Sequence, residues 1–203
     1  MQKYISAIFI TICLFTIATP VFSQTQWELA REKNGIKVFT SKDEKAKFKS
    51  IKVEAVLTGT LDKLAHLLTD AATNKDWIYG TNASYVIKRI SPTETLSYTE
   101  TSVPWPASNR DIPINVQLNI DNQNNTLKVV ARGVPNAIPV KKGIVRIPYL
   151  NSSWFVKFDG KNKLVINYFL EMDPGGIVPA WITNLFVAKG PYETFNSLAT
   201  LLK

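Results

Sequence analysis

Few side chains in this sequence are equipped to make or break bonds. It holds one histidine, His66, and one cysteine, Cys13, among 203 residues. A hydroxyl or thiol nucleophile needs a neighbouring base, and His66 is the sole imidazole; it falls in a leucine-rich stretch where helix packing accounts for it. Without a second histidine or cysteine, and with its acidic residues scattered, the chain suggests no metal site and no cofactor. Carboxylate chemistry stays open, with Glu100, Asp111, Glu171 and Asp173 as the candidates. Glu100 stands out because regular alternation puts Leu96, Tyr98 and Glu100 on one face of a strand, setting a carboxylate among apolar neighbours. Such a group must find a partner or titrate high. It can act as a polar handle for a ligand or pair with Arg110 or Arg132, and both readings stand at this point.

The elements that must position these residues can be read from periodicity. Ile36 to Thr40 and Ile51 to Leu57 alternate around a lysine-rich turn, which predicts an antiparallel pair, with Trp27 and Leu29 opening the domain. Thr60 is placed to cap a helix carrying Leu61, Leu64, Ala65, Leu67 and Leu68, and a second short helix is expected from Thr73 to Trp77. Period two returns in Tyr85 to Ile90 and Leu96 to Val103 across Ser91-Pro92. It continues through Ile112, Ile114, Val116, Leu118 and Ile120, one face buried and one wet. Leu127 to Val134, Ile144 to Ile147, Ser153 to Phe158 and Leu164 to Met172 complete an antiparallel meander. Pro179 can open a last helix whose Trp181, Ile182, Leu185, Phe186, Tyr192, Phe195, Leu198 and Leu202 share a face. Gly190-Pro191 inside that pattern predicts a kink or short break.

The fold class is therefore α+β: a curved antiparallel sheet wrapped around a long C-terminal helix, with two short helices after the second strand. A sheet gripping one helix can enclose a space of roughly 300 to 1,000 Å³, which would take an apolar molecule. The same faces would also serve a filled core that binds a protein partner.

Residues 1–23 have the form of a secretory signal: Lys3, an apolar run from Ile5 to Ile17, and a small-residue exit ending at Ser23. Cleavage there leaves 24–203 as one domain, exported to the periplasm or secreted, without a thiol and held by packing alone. The formal charge of +8 falls to +7 with the loss of Lys3. Lys42, Lys45, Lys47 and Lys49, then Lys141 and Lys142, then Lys157, Lys161 and Lys163 lie at turns. They either solubilise the surface or attract anionic lipid headgroups in transient contact. The lysines are not interleaved with aromatics, which argues against nucleic acid. A monomer is expected.

Pro104-Trp105-Pro106-Ala107-Ser108-Asn109-Arg110-Asp111 cannot lie inside a central strand, because two prolines remove two backbone donors. It is a structured connection that Arg110 beside Asp111 can tie down by a charge-assisted fork. The run resembles the signature of the START (steroidogenic acute regulatory protein-related lipid transfer) family. Asn34 to Phe39, Trp77, Gly143 to Arg146, and Asp173 to Gly176 before Pro179-Ala180-Trp181 extend the resemblance over nearly the whole chain after residue 23. It implies a helix-grip fold with the last helix as a lid, and non-enzymatic binding or transfer of a lipid, fatty acid or sterol-like molecule. Some sterol-binding relatives carry an inward basic side chain where this chain has Ile114, Val116 and Leu118. The expected lining is Tyr98, Val116, Leu118, Val129, Trp154, Tyr168, Ile182, Leu185 and Phe186, with Glu100 as the handle. Pro104, Trp105, Pro106, Arg110 and Asp111 form the structural motif. Gly175-Gly176, Gly190-Pro191 and the Pro135 to Gly143 loop are the expected moving parts. The alternative is a cyclase or hydrolase on the same scaffold, using Glu100 or Asp111 as a base.

Overall fold

Ten strands form one sheet in the computed structural model, which describes residues 26–41 and 50–203. Residues 1–23, expected to be a secretory signal and including Cys13, and the lysines of 42–49 lie outside the described residues. The strands are β1 (Trp27–Lys33), β2 (Ile36–Ser41), β3 (Ile51–Thr58), β4 (Thr81–Ser91), β5 (Glu94–Thr101), β6 (Arg110–Asp121), β7 (Thr126–Gly133), β8 (Val145–Arg146), β9 (Tyr149–Phe158) and β10 (Lys163–Asp173). Their order across the sheet is β1-β2-β3-β10-β9-β7-β6-β5-β4, so the first and second halves of the chain interleave through the β3–β10 pair. The hairpin expected from Ile36 to Leu57 is present as β2–β3. Trp27–Lys33 adds a strand ahead of it, joined by Asn34-Gly35 with φ of 54° and 74°. A two-residue hairpin turn of that hand needs positive φ at both positions. The short helices that follow the hairpin therefore come after β3.

Helix α1 (Leu61–Thr69) starts where Thr60 Oγ1 accepts from the Lys63 amide, and buries Leu64 and Ala65. A 3₁₀ turn (Ala71–Thr73) leads to α2 (Asn74–Trp77), which buries Trp77. At the C-terminus, α3 (Ala180–Asn184), a π turn (Leu185–Lys189) and α4 (Gly190–Leu202) run in succession. The break expected at Gly190-Pro191 takes the form of that π turn. Pro191 has no amide hydrogen to give and sits in the first turn of α4, and the wider turn ahead of it absorbs the missing bond.

Partners directly opposite in a ladder share a face of the sheet. Following the registers from strand to strand, Val38, Val53, Ile166, Trp154, Val129 and Val116 all project inward. Nearly every buried apolar strand residue of the main core is on this face, where it meets Tyr192, Phe195, Leu198 and Leu202 of α4. Phe195 stacks on Trp154 at 5.1 Å and tilts against Tyr168 at 5.7 Å between ring centroids. The backbone of Gly59 comes so close to α4 that an added Cβ would lie 3.0 Å from Leu202 Cβ. One pairing departs from the meander: β8 runs parallel to β6, with Arg110 opposite Val145 and Asp111 opposite Arg146.

Candidate functional site

Two sites emerge, back to back across β5 and β6. The inner one lies between the sheet and the C-terminal helix. Val116, Leu118, Val129, Trp154 and Tyr168 line its sheet side, and Ile182 and Phe186 come from α3 and the π turn. Ile182 is buried, while Phe186 lies against Gly80 and meets the Tyr79 ring edge-on at 6.1 Å. The Leu185 side chain lies outside the described residues. Burial pushes the Tyr168 phenol up to about 12, against a hydrogen bond with Ser152 that acts the other way. Yet Tyr168 is only half-buried by surface area, as are Val116 and Leu118. Trp77, which the sequence marked only as part of the family pattern, contributes a buried indole N–H that finds no acceptor among the described residues.

Tyr98 and Glu100 do not belong to this inner lining. Tyr98 is opposite Pro113 and Glu100 opposite Asp111, which puts both on the outer face, away from Val116 and Leu118. Strand periodicity groups Tyr98 with Glu100 correctly but does not say which face the C-terminal helix will cover. Both are buried there, Tyr98 fully, beneath the connections 102–109 and 134–144. The Tyr98 hydroxyl lies 3.2 Å from Glu100 Oε2 and 3.1 Å from Asp111 Oδ2, Tyr85 stacks on its ring at 4.9 Å, and Lys141 Nζ sits 4.0 Å from the ring centre. Burial, then the charges and hydrogen bonds of Asp111 and Glu100, hold the Tyr98 phenol well above its ordinary value.

Glu100 pairs with neither Arg110 nor Arg132. It accepts from Asn82 at 2.9 Å and Asn109 at 3.1 Å and has Lys141 Nζ at 3.8 Å, whereas Arg132 stands two strands away on β7. Burial pushes its carboxyl up, and the donors Asn82, Asn109 and Tyr98 together with the Lys141 charge outweigh that and hold it below the ordinary value. The fork between Arg110 and Asp111 is not formed either, because consecutive strand residues point to opposite faces. Asp111 instead receives Arg146, Nε to Oδ1 at 2.7 Å and Nη2 to Oδ2 at 3.1 Å. Arg146 also donates to the carbonyls of Pro135, Ile138 and Pro139, so one guanidinium fastens the 134–144 loop to the sheet. Nothing in the sequence flagged Arg146 beyond its place in Gly143-Ile144-Val145-Arg146.

The Pro-Trp-Pro run is a loop with an Ala107 N–H to Pro104 carbonyl turn, pinned by Asn109, whose side chain accepts from the Val103 amide and donates to Glu100. Trp105 projects into solvent at 88 % exposure. Of the other acidic candidates, Glu171 takes the Ser50 and Tyr149 hydroxyls, and Asp173 accepts from the Gly175 amide at 2.9 Å. His66 is exposed on α1. These groups do not converge with Glu100 and Asp111.

A sheet closed on a C-terminal helix, with an apolar inner wall and a loop-fastening Asp–Arg pair on its back, defines a helix-grip domain. The profile of the START domain matches residues 18–202, and the chain belongs to that family. A crystal structure of the STAR-related lipid transfer protein of Xanthomonas axonopodis is 30% identical, with a TM-score of 0.78 over 87% of this chain and 98% of that one. The bovine phosphatidylcholine transfer protein is 29% identical over 175 residues, 84% of this chain and 81% of its own length. An uncharacterized protein of Pseudomonas aeruginosa is 26% identical over 172 residues, 85% of this chain and 84% of its own. The fold is shared with human StAR-related lipid transfer protein 5, at a TM-score of 0.75. Lipid binding or transfer is thus the general activity of the group to which the chain belongs.

Proposed function

We propose that this protein holds a hydrophobic ligand of the lipid class in a space between the inner sheet face and the C-terminal helix, and carries it without changing it chemically. The observation that carries this reading is the wall formed by Tyr168, Val116 and Leu118. Tyr168 is deep enough to have its phenol strongly raised, yet all three keep accessible area while facing the lid. Surface of that kind belongs to a hollow more naturally than to a filled core. Val129, Trp154, Ile182, Leu185 and Phe186 extend the proposed lining. Affinity would come from burying hydrocarbon at about 25 cal/mol per Å².

Entry requires the lid to move. Gly175-Gly176, with positive φ at both, precedes it, and the π turn divides it. The enzymatic reading gains nothing from the geometry: Glu100 and Asp111 lie on the opposite face and are committed to Tyr98, Asn82, Asn109 and Arg146. At the lid end, Trp105, Val140, Ile177 and Trp181 are exposed at 88, 69, 93 and 52 %. With the exposed Lys142 they suit a transient contact with an anionic membrane, worth about 1 kcal/mol per basic residue near the surface. Export to the periplasm or medium after cleavage at residue 23, and a monomeric carrier, complete the proposal.

Native mass spectrometry of the purified exported protein tests it. A mass excess released on denaturation and identified as lipid supports the carrier. A ligand-free protein that also takes up nothing from vesicles refutes it.

A further inference from the structure

Arg110 is the first residue of β6 and 5 % exposed, yet among the described residues no carboxylate pairs with it. Its Nη1 donates to the Ser108 carbonyl and its Nη2 reaches the Ile177 carbonyl at 3.4 Å, so two of the five donors of a guanidinium meet backbone oxygen alone. The neighbouring Asp111 is taken by Arg146 on the other face. A buried charge without a counter-charge is costly, and the guanidinium fork suits two oxygens of one anion.

Its position says where such an anion would come from. Arg110 belongs to the inward series of Ile112, Ile114 and Val116, opposite Thr101 on β5 and beside Val145 on β8. Thr101 and the lid residue Phe186 both lie against Gly80, and Val145 lies against Gly175 in the hinge. The guanidinium thus stands where inner wall, hinge and lid meet, so hydrocarbon lying along the wall would bring its polar end to it. Building on the lipid-carrier reading, we infer that Arg110 seats an anionic oxygen headgroup, the phosphodiester of a phospholipid or the carboxylate of a fatty acid.

The test measures binding of dioleoyl phosphatidylcholine, oleate and dioleoylglycerol to the exported protein and to its Arg110→Gln and Arg110→Lys variants. Melting curves establish that each variant is folded. Wild type should prefer at least one charged lipid over dioleoylglycerol by about tenfold or more. R110Q should abolish that preference while leaving dioleoylglycerol binding within about threefold, and R110K should retain part of it. Whichever of phosphatidylcholine and oleate loses more identifies the headgroup. If R110Q does not fold, the wild-type preference and its partial retention in R110K decide the matter. Equal wild-type affinity for all three lipids, or an equal loss of all three in R110Q, overturns the inference and leaves the carrier reading intact. Binding of none of them overturns both.

Discussion

Asp111→Asn should be among the most damaging single-atom changes in the molecule. Asp111 and Arg146 side chains are 1 and 9 % exposed, and the pair is bidentate at 2.7 and 3.1 Å. The amide turns one oxygen acceptor into a donor facing another donor, and leaves the guanidinium buried without its counter-charge. Removing one partner of such a pair costs about 3–5 kcal/mol. For a domain of this size that lowers Tm by roughly 6–20 °C, at about 2–4 °C per kcal/mol. Tyr98→Phe removes only the hydroxyl shared between Asp111 and Glu100 and should cost about 1 kcal/mol. Urea unfolding followed by tryptophan fluorescence measures both. Arg146→Met on the Asp111→Asn background should cost much less than on wild type, because the orphaned charge is then gone. A loss under about 1 kcal/mol for Asp111→Asn, or additive single and double mutants, would refute the claim that this pair fastens the 134–144 loop.

Three further outcomes are expected. Because Glu100 has its folded pKa held below the ordinary 4.5, its ionised form favours the native state; that contribution is complete above the unfolded value and is lost as pH falls through the folded one. Glu100→Gln should therefore be less stable than wild type near neutrality, with the gap closing in acid, as urea midpoints across a pH series would show. Gly175→Ala forces a side chain into φ +69° with its Cβ 3.0 Å from the Arg146 carbonyl, whereas Gly176→Ala meets only Val145 at 3.9 Å with φ +59°. Gly175→Ala should cost about 1–3 kcal/mol and Gly176→Ala about 1, and both should alter lipid exchange rates from labelled vesicles if the hinge moves. Phe195→Ala, which removes a ring 1 % exposed between Trp154 and Tyr168, should cost about 3–5 kcal/mol by chemical denaturation.

Local signals carried far in this sequence. Alternation marks β6 from Ile112 to Ile120 and β10 from Leu164 to Met172, Thr60 marks the start of α1, and Gly190-Pro191 marks the break in the C-terminal helix, because each depends on a few adjacent residues. Their order was enough to imply a sheet gripping a helix. Trp27–Lys33 was harder: it reads as charged chain because its pairing with β2 rests on the Asn34-Gly35 turn and backbone hydrogen bonds more than on buried side chains.

Tertiary structure alone decided which face of β5 and β6 lies on the side of the C-terminal helix. A period of two groups Tyr98 with Glu100 and separates Arg110 from Asp111, but it is symmetric between inside and outside. The outer face of these strands is buried as well, by the 134–144 loop, so burial could not mark the inner side. Arg146 lies 35 residues from Asp111 along the chain and reaches it only because β8 runs parallel beside β6, a pairing no local pattern encodes. That long-range contact consumes the carboxylate that sequence adjacency assigns to Arg110, and among the described residues it leaves the inward guanidinium without a counter-charge.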